Sequence, residues 1–150
     1  MKPCANRFAT ARAFAGTALA LILASCGGDA RAGEIACQRR LVELSGDLRP
    51  GPPASGLGGV FARASERFVR MPLDGCTESQ RYTAGAFARV TGQIASTAGR
   101  IGDDPMRALE RRPGLRTSQD FMELQSQIEG FERRRQVLRA ELERMTRDAG

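Results

Sequence analysis

Eight positions near the C-terminus, 121, 124, 128, 131, 135, 138, 142 and 145, alternate spacings of three and four and hold Phe, Leu, Ile, Phe, Arg, Leu, Leu and Met. Apolar side chains at that period form one stripe along an α-helix, whereas a strand would scatter them over both faces. Thr117-Ser118-Gln119-Asp120 supplies a cap, so the spacing predicts a helix from there to about Asp148, roughly 31 residues and about 46 Å long. A stripe of that length has to be covered. In a parallel, in-register coiled coil with Phe121 at an a position, Arg134 would face Arg139 of the second chain. The other flanking pairs, Gln127 with Glu132 and Glu141 with Thr146, offer little compensation. Antiparallel packing within one chain, against another helix, is the favoured solution.

The preceding segments supply the partners. From Glu34 to Ser45 apolar residues recur at 37, 41 and 44, and Gly46 is placed to end that helix in a left-handed conformation. Leu48 to Gly59, with three prolines and four glycines, reads as a loop. Val60, Phe61, Ala64, Phe68 and Met71 line one face of a second helix, which Pro72 and Asp74-Gly75 stop. Thr77-Glu78-Ser79-Gln80 is a capping-box pattern and opens a third helix, to about Arg100, with the stripe Phe87, Val90, Ile94, Ala98 and Ile101 and with Gly102 closing it. Small residues on this helix, including Gly85, Gly92 and Gly99, permit close helix approach but weaken it by about 1 kcal/mol for each interior Gly. Tyr82, the only tyrosine, is assigned to the core. Asp104-Pro105 predicts a short turn to Arg112, ended by Pro113-Gly114, and capping accounts for the adjacent acids Asp103 and Asp104. The expected fold is all-α, a small three- to four-helix bundle with a long C-terminal helix. A third helix of about 36 Å would leave roughly 10 Å of the last one bare. Leu138, Leu142 and Met145 fall in that overhang, beside Arg133 to Arg135, and form a candidate partner-binding strip unless the first two helices cover them.

The N-terminus has another character. A basic start (Lys2, Arg7, Arg12), an uncharged core from Ala13 to Leu23 and the small residues Ala24 and Ser25 make a signal peptide of residues 1–25. About 12 apolar residues make roughly 18 Å of helix against a hydrocarbon core of about 30 Å, so a permanent transmembrane helix is not expected. Leu23-Ala24-Ser25-Cys26 resembles the lipobox of bacterial lipoproteins. The resemblance implies a diacylglyceryl group on the Cys26 thiol, cleavage just before Cys26 and attachment to a membrane through two or three acyl chains. Gly27, where an Asp would imply inner-membrane retention, leans toward the outer membrane, facing the periplasm. A competing pattern, Ala30-Arg31-Ala32 before Gly33, fits ordinary signal peptidase and would give a soluble periplasmic or secreted protein starting at Gly33. A third reading keeps the segment uncleaved, with Cys26 there by accident. Residues 26–33, rich in Gly and Ala, have the composition of a flexible tether, and residues 34–150 form the helical domain.

Loss of the signal removes Lys2, Arg7 and Arg12, which lowers the formal charge from +6 to +3. The remaining arginines are read as compositional bias, and with no binding motif and an exported destination a nucleic-acid partner is not expected. Cys4 leaves with the signal and Cys26 carries lipid, so Cys37 and Cys76 remain as a disulfide pair in an oxidising compartment. Such a bridge would close a loop of about 40 residues and add about 4 kcal/mol in the chain-entropy model; the alternative is two buried thiols, since Cys37 shares a stripe with Leu41 and Leu44. Without histidine, two cysteines do not complete a zinc site, and no cofactor or small-molecule substrate is implied. No histidine base, Ser-x-x-Lys or Gly-x-Ser-x-Gly element or phosphate-binding glycine loop is present, so catalytic residues are not expected. The function that anchor and amphipathic helices support is a non-catalytic adaptor binding a protein of an envelope complex. The alternatives are an exported inhibitor or immunity protein and a lipid-binding helical bundle.

Overall fold

The computed structural model describes the backbone of residues 18–48, 56–102 and 104–150. The basic start and first part of the signal segment, residues 1–17, lie outside the described residues, as do residues 49–55 of the expected loop and Asp103. The described chain is all-α, without strands: α1 (Ala18–Gly46), α2 (Leu57–Val69), α3 (Glu78–Ile101), the short α4 (Pro105–Arg111), a 3-10 turn (Pro113–Thr117) and α5 (Gln119–Arg147). Helices α1, α2, α3 and α5 make the bundle, and α4 with the 3-10 turn closes one end.

The last helix forms as its sequence dictates. Ser118 Oγ accepts a hydrogen bond from the Phe121 amide at 3.3 Å. Along the heptad stripe Leu124, Phe131 and Leu138 are buried, and Phe121, Ile128, Arg135, Leu142 and Met145 half-buried. Arg135, the polar member, reaches both oxygens of Glu132 at 3.0 and 3.1 Å. Packing is antiparallel within the chain. Arg100, at the C-terminal end of α3, bonds Asp120 at 2.9 Å and Glu123 at 3.0 Å, while α1 runs antiparallel along the C-terminal half of α5, with Arg31 at Asp148 and Gln38 at Leu138. On the outer face Glu129 and Arg133, four residues apart, approach to 3.9 Å.

The rings of Phe61, Phe68, Phe87 and Phe131 form the centre, with centroids 5.2 to 5.5 Å apart and two of the three contacts edge to face. They join α2, α3 and α5. The third helix starts at the expected capping box: Thr77 Oγ1 accepts from the Gln80 amide at 3.2 Å, and Gln80 Oε1 from the Thr77 amide at 3.0 Å. Gly102 closes it with φ of 136°, a conformation that favours glycine. Asp104 caps α4 by accepting from the Met106 and Arg107 amides.

Three expectations need correction. First, residues 27–33 are not a separate tether but part of α1, which starts well before Glu34. Tertiary contacts outweigh their loose composition: Arg31 donates to the Asp148 carbonyl at 2.6 Å and Gln80 Nε2 to the Glu34 carbonyl at 3.0 Å. Gly33 lies so close to Gly75 that a Cβ on it would sit 3.2 Å from the Gly75 Cα. Second, Gly46 ends α1 without a left-handed turn; among the described glycines only Gly75 and Gly102 have positive φ. Third, α2 begins at Leu57 and takes in Gly58 and Gly59. Gly58 lies against α3, where a Cβ would be 3.4 Å from the Ala95 carbonyl oxygen and 3.6 Å from the Ala98 Cβ, so packing overrides its low propensity.

Cys37 and Cys76 form a disulfide, with Cα atoms 5.2 Å apart and a sequence separation of 39. Beside it runs a polar bridge. Gln38 Nε2 donates to the Leu138 carbonyl at 3.1 Å and to Glu141 at 3.2 Å, and Gln80 Nε2 donates to Gln38 Oε1 at 3.2 Å. Both amides are buried and fully engaged across α1, α3 and α5.

Two substitutions at this end of the bundle and one near the C-terminal end of α3 test these contacts. Replacing both cysteines, Cys37→Ser with Cys76→Ser, should lower the unfolding free energy by about 4 kcal/mol, read as a lower denaturant midpoint. Gly75→Ala should cost at least about 1–2 kcal/mol, since φ is 73° and the new Cβ would lie 3.0 Å from the Gly33 Cα. Gly99→Ala, inside α3 with nothing within 4 Å, should instead stabilise by roughly 0.5–1 kcal/mol in the same assay.

Candidate protein-binding surface

The strip at the overhang of α5 is largely covered, the alternative that the sequence left open. Leu138 is 5 % exposed and belongs to the core, with its carbonyl bonded by Gln38. Leu142 and Met145 are half-buried, and Met145 lines a cleft together with Ala30 and Arg31 of α1. The first helix covers this part of α5: Gln38, within the helix expected from Glu34 to Ser45, bonds the Leu138 carbonyl, and the earlier residues Ala30 and Arg31 meet Met145.

Tyr82 corrects the reading in the opposite sense. It is 72 % exposed, not part of the core. At 100° per residue it lies about 140° from Phe87 around α3, off the buried stripe. On the same outer side α5 presents Val137, 67 % exposed. Between the two helices runs a groove of about 530 Å³, with Tyr82, Ala86 and Val90 on the α3 side and Val137 on the α5 side. It continues along α5 past Ala140.

The charges around this groove are one-sided. Arg89 stands 5.8 Å from the centroid of the Tyr82 ring, within the range of a cation–π contact. Neither Arg89 nor Arg134, the cation on the α5 rim, pairs with a carboxylate among the described residues. Glu141 also lines the groove, but one of its oxygens accepts from the buried Gln38 amide and the other lies 3.9 Å from Arg144. Exposed Tyr, flanking Arg and a small apolar floor are the composition enriched at protein interfaces.

A second apolar hollow, about 520 Å³, opens at the far end of the bundle between α4 and the start of α5. Leu57, Met106, Leu109, Phe121 and Ile128 line it, and Met106 is 65 % exposed. A third cleft, between α1 and α2, mixes Arg40, Arg63, Arg67 and Arg70 with Glu43, Asp47 and Glu66, and the contact of Arg67 with Asp47 at 2.6 Å spans it. Its charges largely balance.

Among the described residues no group of His, Cys, Asp or Glu could hold a metal ion, and no helix is long and apolar enough to cross a membrane. Cys26 falls within the backbone of α1, while its side chain lies outside the described residues. The sequence did carry a signal for the residues it failed to single out. Tyr82 and Val137 are large apolar side chains off their helices' buried stripes, set among Arg, Glu and Gln. Neither a protein-family model, nor a curated protein, nor a solved structure matches this chain.

Proposed function

We propose that this chain is a lipid-anchored adaptor of the cell envelope, held at the membrane through Cys26, facing the periplasm and binding another protein without catalysis. The outer membrane is the side to which Gly27 points. The observation that carries the binding half of this reading is the groove between α3 and α5, where Tyr82 and Val137 stand exposed between arginines that have no carboxylate partner among the described residues. An exposed aromatic, already oriented by a neighbouring guanidinium, loses little side-chain entropy on binding, which is why such residues so often anchor interfaces. The anchor half rests on Leu23-Ala24-Ser25-Cys26 and its apolar lead-in. A bundle that enclosed a lipid would need an internal cavity. The apolar hollow beside Met106 opens to the surface instead, which favours the protein-binding reading.

The anchor is tested by the intact mass of the protein extracted from its native membrane. A mass of residues 26–150 plus acyl chains is expected, together with loss of that species in Cys26→Ala. A mass starting at Gly33 would make the protein soluble and sever the contact between Arg31 and Asp148. The binding half is tested by Tyr82→Ala and Val137→Ala. Each should change stability by no more than about 0.5 kcal/mol, as surface substitutions usually do, while reducing the amount of partner that copurifies with the anchored protein. A loss of partner with an unchanged denaturant midpoint supports the adaptor reading, and unchanged copurification counts against the groove as the binding surface.

A further inference from the structure

We propose that the occupant of the groove between α3 and α5 is an amphipathic helix of a partner protein that carries carboxylates beside its apolar face. The proposal rests on the adaptor reading above and adds the chemistry of the partner.

Length and shape argue for a helix. The lining residues of α3 run from Tyr82 to Gln93, three helical turns and roughly 16 Å. That is the distance over which a bound helix presents anchors at i, i+3 or i+4, and i+7. Two antiparallel helices leave a furrow between their side-chain ridges into which a third helix packs. The small side chains of Ala86 and Ala140 let its backbone come close, while Tyr82 and Val137 offer apolar contact. A peptide bound by strand addition would need a sheet edge to pair with, and the described chain has no strand.

Charge argues for the acidic flanks. Arg89 on one rim and Arg134 on the other are exposed cations without a carboxylate among the described residues. The carboxylate that lines the groove, Glu141, is drawn toward Gln38. Carboxylates laid along the rims would form charge-assisted hydrogen bonds with both guanidinium groups. The same charges disfavour a second copy of this chain. A two-fold contact through this face would bring like patches together, Arg89 and Arg134 against their own equivalents.

The test is site-specific photo-cross-linking of the full-length protein in its native cells. A photoreactive phenylalanine analogue replaces Val137 in the groove, Met106 in the distal hollow, or the exposed Glu110 as a control, and the captured peptides are identified by mass spectrometry. The expected result is an adduct at 137 with a helical segment in which acidic residues flank apolar ones. Its yield should fall roughly tenfold or more in Arg89→Glu with Arg134→Glu, with an unchanged thermal midpoint, and should recover when the acids of the captured segment are changed to Arg. A captured segment without acids, capture of a second copy of this chain, or a yield indifferent to charge reversal overturns the proposal. Capture at 106 but not at 137 also overturns it and leaves the adaptor reading standing. Capture at neither position overturns both.

Discussion

The position of α1 depends on one covalent constraint and the polar bridge beside it. Without the disulfide between Cys37 and Cys76, α1 would be held to the turn between α2 and α3 by little more than the approach of Gly33 to Gly75 and the bond from Arg40 Nη2 to the Asp74 carbonyl. Its main packing partner is α5. Gln38 and Gln80 then fix the register. A buried amide left without partners costs about 1–3 kcal/mol, so displacing α1 along α5 would strand Gln38 away from the Leu138 carbonyl, Glu141 and Gln80 at once. Apolar contacts alone would tolerate such sliding far better, because one leucine can replace another.

A different device joins α2 to α3. Gly58 lies against Ala95 and Ala98, and a Cβ on Gly92 would fall 3.3 Å from Ser65 Oγ, which itself donates to the Ala88 carbonyl at 2.8 Å. Small residues thus bring two backbones together, and the phenylalanines fill the space that this pair leaves toward α5. Each interior glycine weakens its own helix, yet the close approach it permits is shared by both helices. The bundle is therefore tight along α2 and α3 and pinned, rather than tightly packed, along α1.

Much of this architecture was legible in the sequence because period and capping are local. The alternation of three and four from Phe121 to Met145, the reciprocal bonds of Thr77 and Gln80 and the cap of Asp104 on α4 need no knowledge of the rest of the fold. Pairing of Cys37 with Cys76 could be read by elimination once the other cysteines were assigned. What escaped was set by contacts distant in sequence. Nothing in the composition of residues 27–33 announces that Gly33 meets Gly75 or that Arg31 reaches Asp148, and those contacts draw the segment into α1. At Leu138, Leu142 and Met145 the sequence left two outcomes open, exposure or cover by the first helices; Gln38 of α1 decides it at Leu138, through a contact distant in sequence. Tyr82 is a separate case. Its angle around α3, about 140° from Phe87, is itself legible in the sequence and sets it off the buried stripe.

The helical junction between Cys26 and Arg31 changes what an anchor at Cys26 would do. Only four residues separate that cysteine from the first side chain tied to the body of the bundle, so even fully extended the leash reaches no more than roughly 17 Å. That is well short of the roughly 43 Å spanned by α5. The N-terminal end of α1, the Gly75 turn and the C-terminal end of α5 would stay within a thin layer above the headgroups, and encounters with a partner would become a search across a surface rather than through a volume. Within such a layer the local concentration of a co-anchored partner is high, and a groove of modest affinity suffices to keep it bound.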